Sequence, residues 1–153
     1  MNTRDGGAAL SGDEVHDVAM DAGEPRNAPA AHMHGFLSCD GLPPATLLDL
    51  GRAEIDRYGV DIVRGRVEHV EPGYDMRLEG GPVMDDQGWV VTDRTGRTSV
   101  PGVWAVGNVV DPRAQVIAAA GMGSTAAFAI NTDLLNKDVE DAIARHRATA
   151  APA

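Results

Sequence analysis

The chain has 153 residues, of which 43% are hydrophobic, and its 13 basic and 23 acidic side chains give a net charge of −10. This length suffices for one globular domain with a core and is too short for two nucleotide-binding domains of ordinary size. The acidic balance, with no basic stripe to offset it, excludes binding to a bare nucleic-acid backbone.

The cysteine count and the hydropathy pattern exclude further classes of protein. Cys39 is the only cysteine, which excludes an internal disulfide and a Cys-x-x-Cys redox pair. No stretch approaches the roughly 18 apolar residues of a membrane span, and the N-terminus lacks the basic-then-apolar order of a signal peptide. The sequence therefore predicts a soluble, cytoplasmic protein that does not enter a membrane.

Both ends of the sequence are poor in large apolar residues. We therefore expect disordered tails at residues 1–16 and 148–153. Residues 17–147 are expected to form the single domain.

The first half of the chain predicts a strand, a long loop, a helix and a second strand. The first strand ends at Asp21 and leads into a loop rich in Gly, Pro and Asn. Pro43 and Pro44 suit the first turn of a helix, where a missing N–H costs nothing, and Gly59 suits its end. Alternation over residues 60–72 then predicts one strand, or two that are broken at a glycine.

The second half predicts a hairpin, a buried strand and a small-residue helix. Residues 85–102 form the hairpin, with a polar turn centred on residues 94–96. The apolar run VWAVGN at residues 103–108 is typical of a strand buried on both faces. Residues 115–136 predict a long helix of small side chains, and residues 137–147 predict a short amphipathic helix after it.

The turn at the end of this buried strand has the chemistry that a flavin needs. Gly107 lets the backbone approach a ligand closely, and the Asn108 side chain can hydrogen-bond a ribityl hydroxyl. The N-terminus of the following helix carries free N–H groups that suit the N1/C2=O edge of a reduced flavin. The same pattern also fits a strand–turn–helix unit that packs a core without any ligand.

Residues 99–131, SVPGVWAVGNVVDPRAQVIAAAGMGSTAAFAIN, resemble the closing FAD motif of the thioredoxin-reductase-like family of pyridine-nucleotide-disulfide oxidoreductases. The resemblance implies that Gly107 and Asn108 contact the ribityl and phosphate region of FAD. It also implies that Ala114, Gln115 and Val116 meet the isoalloxazine edge. Most relatives carry Asp at the position of Asn108, and Asn keeps a hydrogen-bonding group there.

A second segment, MDAGEPRNAPAAHMHGFLSCDG at residues 20–41, resembles the region after the second strand of the same family's FAD domain. The resemblance implies that Asp21 binds the adenosine ribose hydroxyls. Arg26 and Asn27 would line the pyrophosphate, and His34 would lie in a loop that packs against the cofactor. Without the family, an Asp followed by a small residue and Gly is more often a simple turn.

Two residue types in this loop suggest other chemistry. His32 and His34 form a His-x-His pair, but a zinc site needs three or four ligands and no third cluster is in view. Cys39 has no resolving partner and is interpreted as a plain loop thiol. We therefore expect no metal site and no nucleophilic cysteine.

Three parts of the family pattern are missing from this sequence. A Gly-x-Gly-x-x-Gly fingerprint is expected before Asp21, and only residues 6–12, GGAALSG, lie in that region. The residues between this segment and Asp21 are too few to form the helix and the second strand that should follow the fingerprint. No second fingerprint and no cysteine pair occur before the hairpin. The NADPH site is therefore expected to be absent, and the chain resembles an internally truncated relative.

Residues 121–126, GMGSTA, fit a Gly-x-Gly-x-x-Ala pattern and offer an alternative. Taken alone, Gly121 and Gly123 predict an NAD-binding Rossmann turn. Against this, the preceding VIAAA is a poor strand former, and the resemblance makes the segment helical. The NAD-binding Rossmann fragment stays an alternative.

We conclude from the sequence that the fold is α/β. We expect a reduced three-layer FAD-binding (Rossmann-like) domain with a small antiparallel β element and a C-terminal Ala-rich helix. The expected function is that of an FAD-binding oxidoreductase-like protein of the thioredoxin reductase family, without full NADPH-to-disulfide turnover and with no assigned catalytic residue. The alternative is a cofactor-free remnant or interaction module, and the expected macromolecular partner is a second copy or another chain.

Overall fold

The computed structural model describes residues 18–66 and 82–150 of the chain. They fall into two compact units, the first within Met1–His69 and the second within Val70–Ala153. The described part is an α/β protein with a two-stranded parallel sheet and two α-helices, as the sequence predicts. Its elements in chain order are β1 (Val18–Asp21), α1 (Pro44–Asp56), β2 (Asp61–Arg64), a 3-10 helix (Gly107–Val109) and α2 (Val116–Ala150).

The first unit is built on a strand–helix–strand connection. β1 and β2 pair in parallel, with Asp21 opposite Arg64 at their carboxyl ends. Helix α1 begins after Pro43 and ends before Gly59, which has a left-handed backbone with φ of 73°. These positions confirm the predicted strand, helix start and helix stop. The parallel pairing brings both carboxyl ends to one edge, where ligands bind in sheets of this kind.

The loop between β1 and α1 has a small core of its own. Met33 is buried, and its N–H donates to the Leu42 carbonyl oxygen at 3.0 Å. In return the Gly41 N–H donates to the Met33 carbonyl oxygen at 2.8 Å. This closed loop presents residues 34–40 as a compact surface segment.

In the second unit, the predicted antiparallel element is reduced to two isolated bridges, Met84 with Val90 and Arg97 with Trp104. The Ala105 N–H donates to the Gly96 carbonyl oxygen at 2.8 Å, so the two arms of the hairpin still pair locally. The prediction of a continuous strand at residues 103–108 was wrong. Within this run only Trp104 takes part in a bridge, and the chain enters the 3-10 helix at Gly107.

The core of the second unit combines the hairpin with α2. Its most buried side chains are Val90, Val100 and Ala126, together with the polar Thr98. Among the small residues of α2, Ala126 is therefore the one buried in this core.

Helix α2 is one continuous helix of 35 residues. The predicted boundary between a long helix ending at residue 136 and a short one after it was wrong, because no glycine or proline lies near residues 136–137. The helix also passes the expected end at residue 147 and continues to Ala150. Gly121 and Gly123 lie inside it, as the helical interpretation of GMGSTA predicts.

Several predictions fall on residues outside the described ranges. They include the short glycine segment at residues 6–12 and most of the second arm of residues 60–72. The domain boundaries and the three-layer FAD-binding arrangement remain predictions. Within the described residues, no helix combines the length and hydropathy needed to cross a membrane.

Candidate functional site

Asp21 lies at the carboxyl end of β1 and is held by two donors. Its Oδ1 accepts the Gly23 N–H at 2.7 Å, and its Oδ2 accepts a guanidinium N–H from Arg52 of α1 at 2.6 Å. Arg52 also donates to Asp49 at 2.8 Å. The hydrogen bond from Arg52, followed by that from Gly23, lowers the pKa of Asp21 below its ordinary value. Asp21 is therefore an oriented and ionised carboxylate.

A second guanidinium lies at the same edge of the sheet. Gly23 has a left-handed backbone with φ of 73°, and a Cβ there would lie 2.6 Å from Nη2 of Arg64. Arg64 is the residue paired with Asp21 across the sheet, and its charge also contributes to the lowered pKa of Asp21. Glycine at position 23 therefore lets an arginine lie against the backbone beside the carboxylate.

Two mainly apolar cavities, of about 320 and 250 Å³, adjoin this edge. Arg52 and Leu48 line both of them, and Asp21 lines the larger. Ile55 and Ile62 supply further apolar wall to the larger cavity. The edge thus combines an oriented carboxylate with apolar concavities, a combination found at small-molecule sites in general.

The other predicted residues of the first unit lie on the loop. Arg26 and Asn27 belong to consecutive turns, in which the Ala30 N–H donates to the Asn27 carbonyl oxygen at 3.0 Å. The exposed His34 has its Nδ1 at 3.5 Å from Oδ2 of Asp40. No hydrogen bond therefore ties these three loop residues to Asp21 in the described part of the chain.

Asp40 organises the segment that carries His34. Its Oδ1 accepts the Gly35 N–H at 2.8 Å. This hydrogen bond, and secondarily the one from His34, lowers the pKa of Asp40. His32 is turned elsewhere, with its Nδ1 at 3.0 Å from the Gly41 carbonyl oxygen. In residues 18–66 and 82–150, no three His, Cys, Asp or Glu side chains are grouped as metal ligands.

In the second unit, the Asn108 side chain closes the loop that precedes α2. Gly107 is buried and has a left-handed backbone with φ of 75°. Asn108 then donates from Nδ2 to the carbonyl oxygens of Asp111 and Ala114, at 3.0 Å each. A carboxylate at this position has no proton to donate to either carbonyl. These two hydrogen bonds therefore explain why Asn suits position 108, where the resemblance leads one to expect Asp.

The same loop delivers Gln115 and Val116 to the start of α2. The Ala119 N–H donates to the Gln115 carbonyl oxygen at 2.9 Å, so Gln115 directly precedes the first turn. Its side chain is exposed, whereas Val116 is half-buried. The first amide N–H groups of a helix have no partner within the helix and carry its positive dipole end. All five predicted residues of this unit, Gly107, Asn108, Ala114, Gln115 and Val116, thus lie between the start of the 3-10 helix and the first residue of α2.

A cavity of about 300 Å³ lies elsewhere in this unit, between the hairpin turn and α2. Val106, Met122 and Thr125 form part of its wall, beside Asp93 of the turn. The Asp93 carboxylate accepts from the Thr95 hydroxyl at 2.7 Å, and this bond is the main reason why the pKa of Asp93 is lowered. None of the predicted site residues lines this cavity.

Sequence reasoning missed Arg52 and Asp93. Arg52 follows Leu48 by four residues, so the two share one face of α1, and that spacing is a usable signal. Asp93 is followed two residues later by Thr95, the spacing of an Asx turn. Both signals concern local hydrogen bonding and do not by themselves identify a ligand.

No protein-family model matches the chain. Among solved structures, the crystal structure of HlmI is similar, with a TM-score of 0.79 and 27% identity over 89% of this chain and 90% of that chain. The described part is therefore an α/β protein with a solved structural relative.

A segment of 53 residues is 52% identical to thioredoxin reductase 1, mitochondrial, of Arabidopsis thaliana. The match covers 33% of this chain and 14% of the length of that protein. At this coarse level the chain is related to a thioredoxin reductase, and its origin is oxidoreductase-related.

Proposed function

We propose that the chain binds FAD and that the loop at residues 107–116 holds the ribityl and isoalloxazine half. The observation that carries this proposal is the side-chain amide of Asn108, which closes the loop with two hydrogen bonds of 3.0 Å. A closed loop presents its groups without further ordering when a ligand arrives. The segment shared with a thioredoxin reductase supports flavin as the ligand.

The residues of this loop fit the flavin half that they are proposed to hold. The buried Gly107 lets the loop lie close to the first turns of α2, since its Cβ position is 3.5 Å from Ala119, and this contact fixes the loop relative to the helix. The first amides of α2, which follow Gln115, are proposed to donate to the N1/C2=O edge of the flavin. When bound, the flavin supplies the hydride or electron transfer, and the protein supplies orientation and electrostatics.

The role proposed for the first unit depends on Asp21. An ionised carboxylate accepts hydrogen bonds from both hydroxyls of a ribose, and the contact with Arg52 keeps Asp21 ionised. We propose Asp21 as the acceptor for the adenosine ribose of FAD. Arg26 and Asn27 are proposed for the pyrophosphate, and His34 for a loop that covers the cofactor.

We further propose that these 153 residues do not complete electron transfer from NADPH to a disulfide. That reaction needs a second redox centre, and Cys39 is the one cysteine in the sequence, so no Cys-x-x-Cys pair exists here. The alternative NAD site at Gly121 and Gly123 is not proposed, because both glycines lie within α2. A Rossmann turn requires them between a strand and a helix.

A cofactor-free interaction module remains the second candidate. It is favoured by large apolar side chains that stay exposed in both units, such as Tyr58 and Phe128. Soluble monomers rarely display contiguous apolar surface without a partner. The two candidates differ in one observable, namely the flavin content of the purified chain.

The experiment is a flavin titration of the full chain. We expect a flavin absorption spectrum after purification or after addition of FAD. We also expect Asn108→Leu to weaken FAD binding roughly tenfold, because the two loop hydrogen bonds are lost. Asn131→Leu makes the same change at an exposed position of α2 and should leave FAD binding unchanged.

Anaerobic addition of NADPH tests the proposal on turnover. We expect the bound flavin to stay oxidised with NADPH and to be reduced by dithionite. A colourless chain that does not bind added FAD would contradict the flavin proposal and support the interaction module. Flavin reduction by NADPH would contradict the expected absence of an NADPH site, and transfer of electrons onward to an added disulfide would contradict the proposal on turnover.

A further inference from the structure

Helix α2 packs within its unit through one face. Ala119 approaches Gly107, Ala126 is only 4% exposed, and Asp133 forms an ion pair with Arg97. These three α2 residues are seven positions apart, which places them on the same side of the helix. This packed face ends at Asp133. Every described side chain from Leu134 to Thr149 is exposed.

The opposite face of α2 carries an apolar stripe. Phe128 is 77% exposed, Leu135 56% and Val139 58%. Leu135 follows Ala126 by nine residues, which is two and a half helical turns at 3.6 residues per turn. The stripe therefore lies on the side of α2 that faces away from its own unit.

The stripe continues with a spacing that alternates between four and three residues, which is the heptad pattern of a two-helix seam. We call this set the α2 seam. Its members are Phe128, Thr132, Leu135, Val139, Ala142 and His146.

We propose that a second copy of this chain covers the α2 seam from Thr132 onward in an antiparallel pair of α2 helices. With Val139 opposite the partner's Ala142, Leu135 lies opposite the partner's His146 and Thr132 opposite the partner's Thr149, whereas Phe128 lies beyond the overlap. Asp138 directly precedes Val139 along the edge of the seam, and Arg145 follows one heptad later. In this register Asp138 faces the partner's Arg145. The symmetry of the pair creates this contact twice.

Charge complementarity selects the antiparallel arrangement over the parallel one. In a parallel pair, a residue at the edge position of Asp138 faces the residue five positions later on the other helix. That residue is Ile143, which carries no charge. The antiparallel pair alone joins Asp138 to a cation. It also allows Ile143, 45% exposed in the single chain, to cover the edge of the seam.

The length of the exposed segment indicates why a partner is needed. Residues 134–149 continue the helix beyond its packed face, and isolated helices of about this length are marginal in water. Apolar residues on one side of such a segment stabilise it when they are buried against another helix. A second copy supplies an identical seam of the same length. This proposal does not depend on flavin binding.

Sedimentation velocity of the full chain over a roughly hundredfold concentration range tests the proposal. We expect a dimer that dissociates on dilution. Val139→Asp places two carboxylates in the seam of the dimer, and we expect this variant to be a monomer. At a concentration where the original chain is also monomeric, the two proteins should have the same circular dichroism spectrum. The control Ala144→Asp adds the same charge on the opposite side of α2 and should leave the dimer intact.

Charge reversal tests the antiparallel register. Asp138→Arg and Arg145→Asp should each raise the dimer dissociation constant roughly tenfold, because two contacts become repulsive. The double variant restores both contacts with their signs exchanged and should return the constant to that of the original chain. A chain that stays monomeric at all concentrations overturns the proposal. A dimer insensitive to Val139→Asp, or a double variant weaker than both single ones, overturns it as well.

Discussion

In the first unit, the polar contacts that fix the end of β1 are ion pairs between side chains that stay open to water. Arg52 and Asp21 are each 40% exposed where they meet, and the pair of Arg66 with Glu24 is more exposed still. In the second unit the hairpin is fixed from inside. The Thr98 hydroxyl, which is buried, donates to the Val103 carbonyl oxygen at 3.0 Å.

This difference separates two ways to hold a loop in position. Exposed ion pairs are weak and are screened by salt, so a ligand can displace or rearrange them at little cost. A buried hydrogen bond is costly to leave unmade. The first unit is therefore expected to adapt around Asp21, whereas the second presents a fixed loop after Gly107.

The largest expected effect is on the rigid hairpin, through Gly96→Ala. A Cβ at this left-handed position would lie 2.7 Å from Cγ1 of Val106 and 3.1 Å from the Ala105 carbonyl oxygen. Backbone strain and overpacking together should lower the free energy of unfolding by about 3 kcal/mol, measured by urea denaturation.

Gly88→Ala is the matched control for this substitution. Gly88 has nearly the same φ, 84°, but nothing lies within 4 Å of its Cβ position. It should show the backbone strain alone, about 1 kcal/mol. Equal losses in the two variants would show that the close approach of the hairpin to Val106 does not matter for stability.

A smaller effect is expected from Thr98→Val. The substitution keeps the shape but leaves the buried Val100 N–H without the hydroxyl oxygen that accepts from it at 3.1 Å. The expected loss in the free energy of unfolding is about 1–2 kcal/mol. Thr46→Val, at an exposed position of α1 in the first unit, should change it by less than about 0.5 kcal/mol. A Thr98→Val variant as stable as the control would contradict the rigid hairpin.

Local signals in the sequence predicted much of the first unit. Proline at the start of α1 and Gly59 at its end are effects of backbone geometry that act within a few residues. The failures lie in the second unit. The apolar run at residues 103–108 was interpreted as a strand, whereas it makes one bridge, from Trp104 to Arg97, because a longer ladder needs partner strands whose position the local sequence does not reveal.

In the candidate site, too, local sequence signals predicted some features, whereas others depend on tertiary packing. The glycine and asparagine of the loop before α2 were predicted, since both residue types signal a turn at a strand end. The two carbonyl partners of the Asn108 side chain depend on how the loop folds back, which spacing does not reveal. Likewise, Arg52 lies 31 residues from Asp21. Only the pairing of β1 with β2 and the packing of α1 bring the two together.

The smallest expected effect concerns the adaptable unit and its dependence on pH. The pKa of Asp21 is lower in the folded chain than its ordinary value of 3.8, mainly because of the hydrogen bond from Arg52. The unfolded chain therefore binds a proton more readily at this group. Ionised Asp21 stabilises the fold above the unfolded pKa, and this stabilisation is lost as the pH falls through the lower folded value. Asp21→Asn removes the titrating group.

Unfolding curves recorded from about pH 6 down to about pH 2 measure this contribution. We expect the stability of Asp21→Asn to fall less steeply with acidification than that of the original chain. Asp56→Asn, at the exposed C-terminal end of α1, is the matched control and should keep the original slope. Raising the salt concentration should shrink the difference between the two variants, because the Arg52 contact is open to solvent. A difference that persists at high salt would mean that Asp21 is held as rigidly as Thr98, and the contrast between the two units would then disappear.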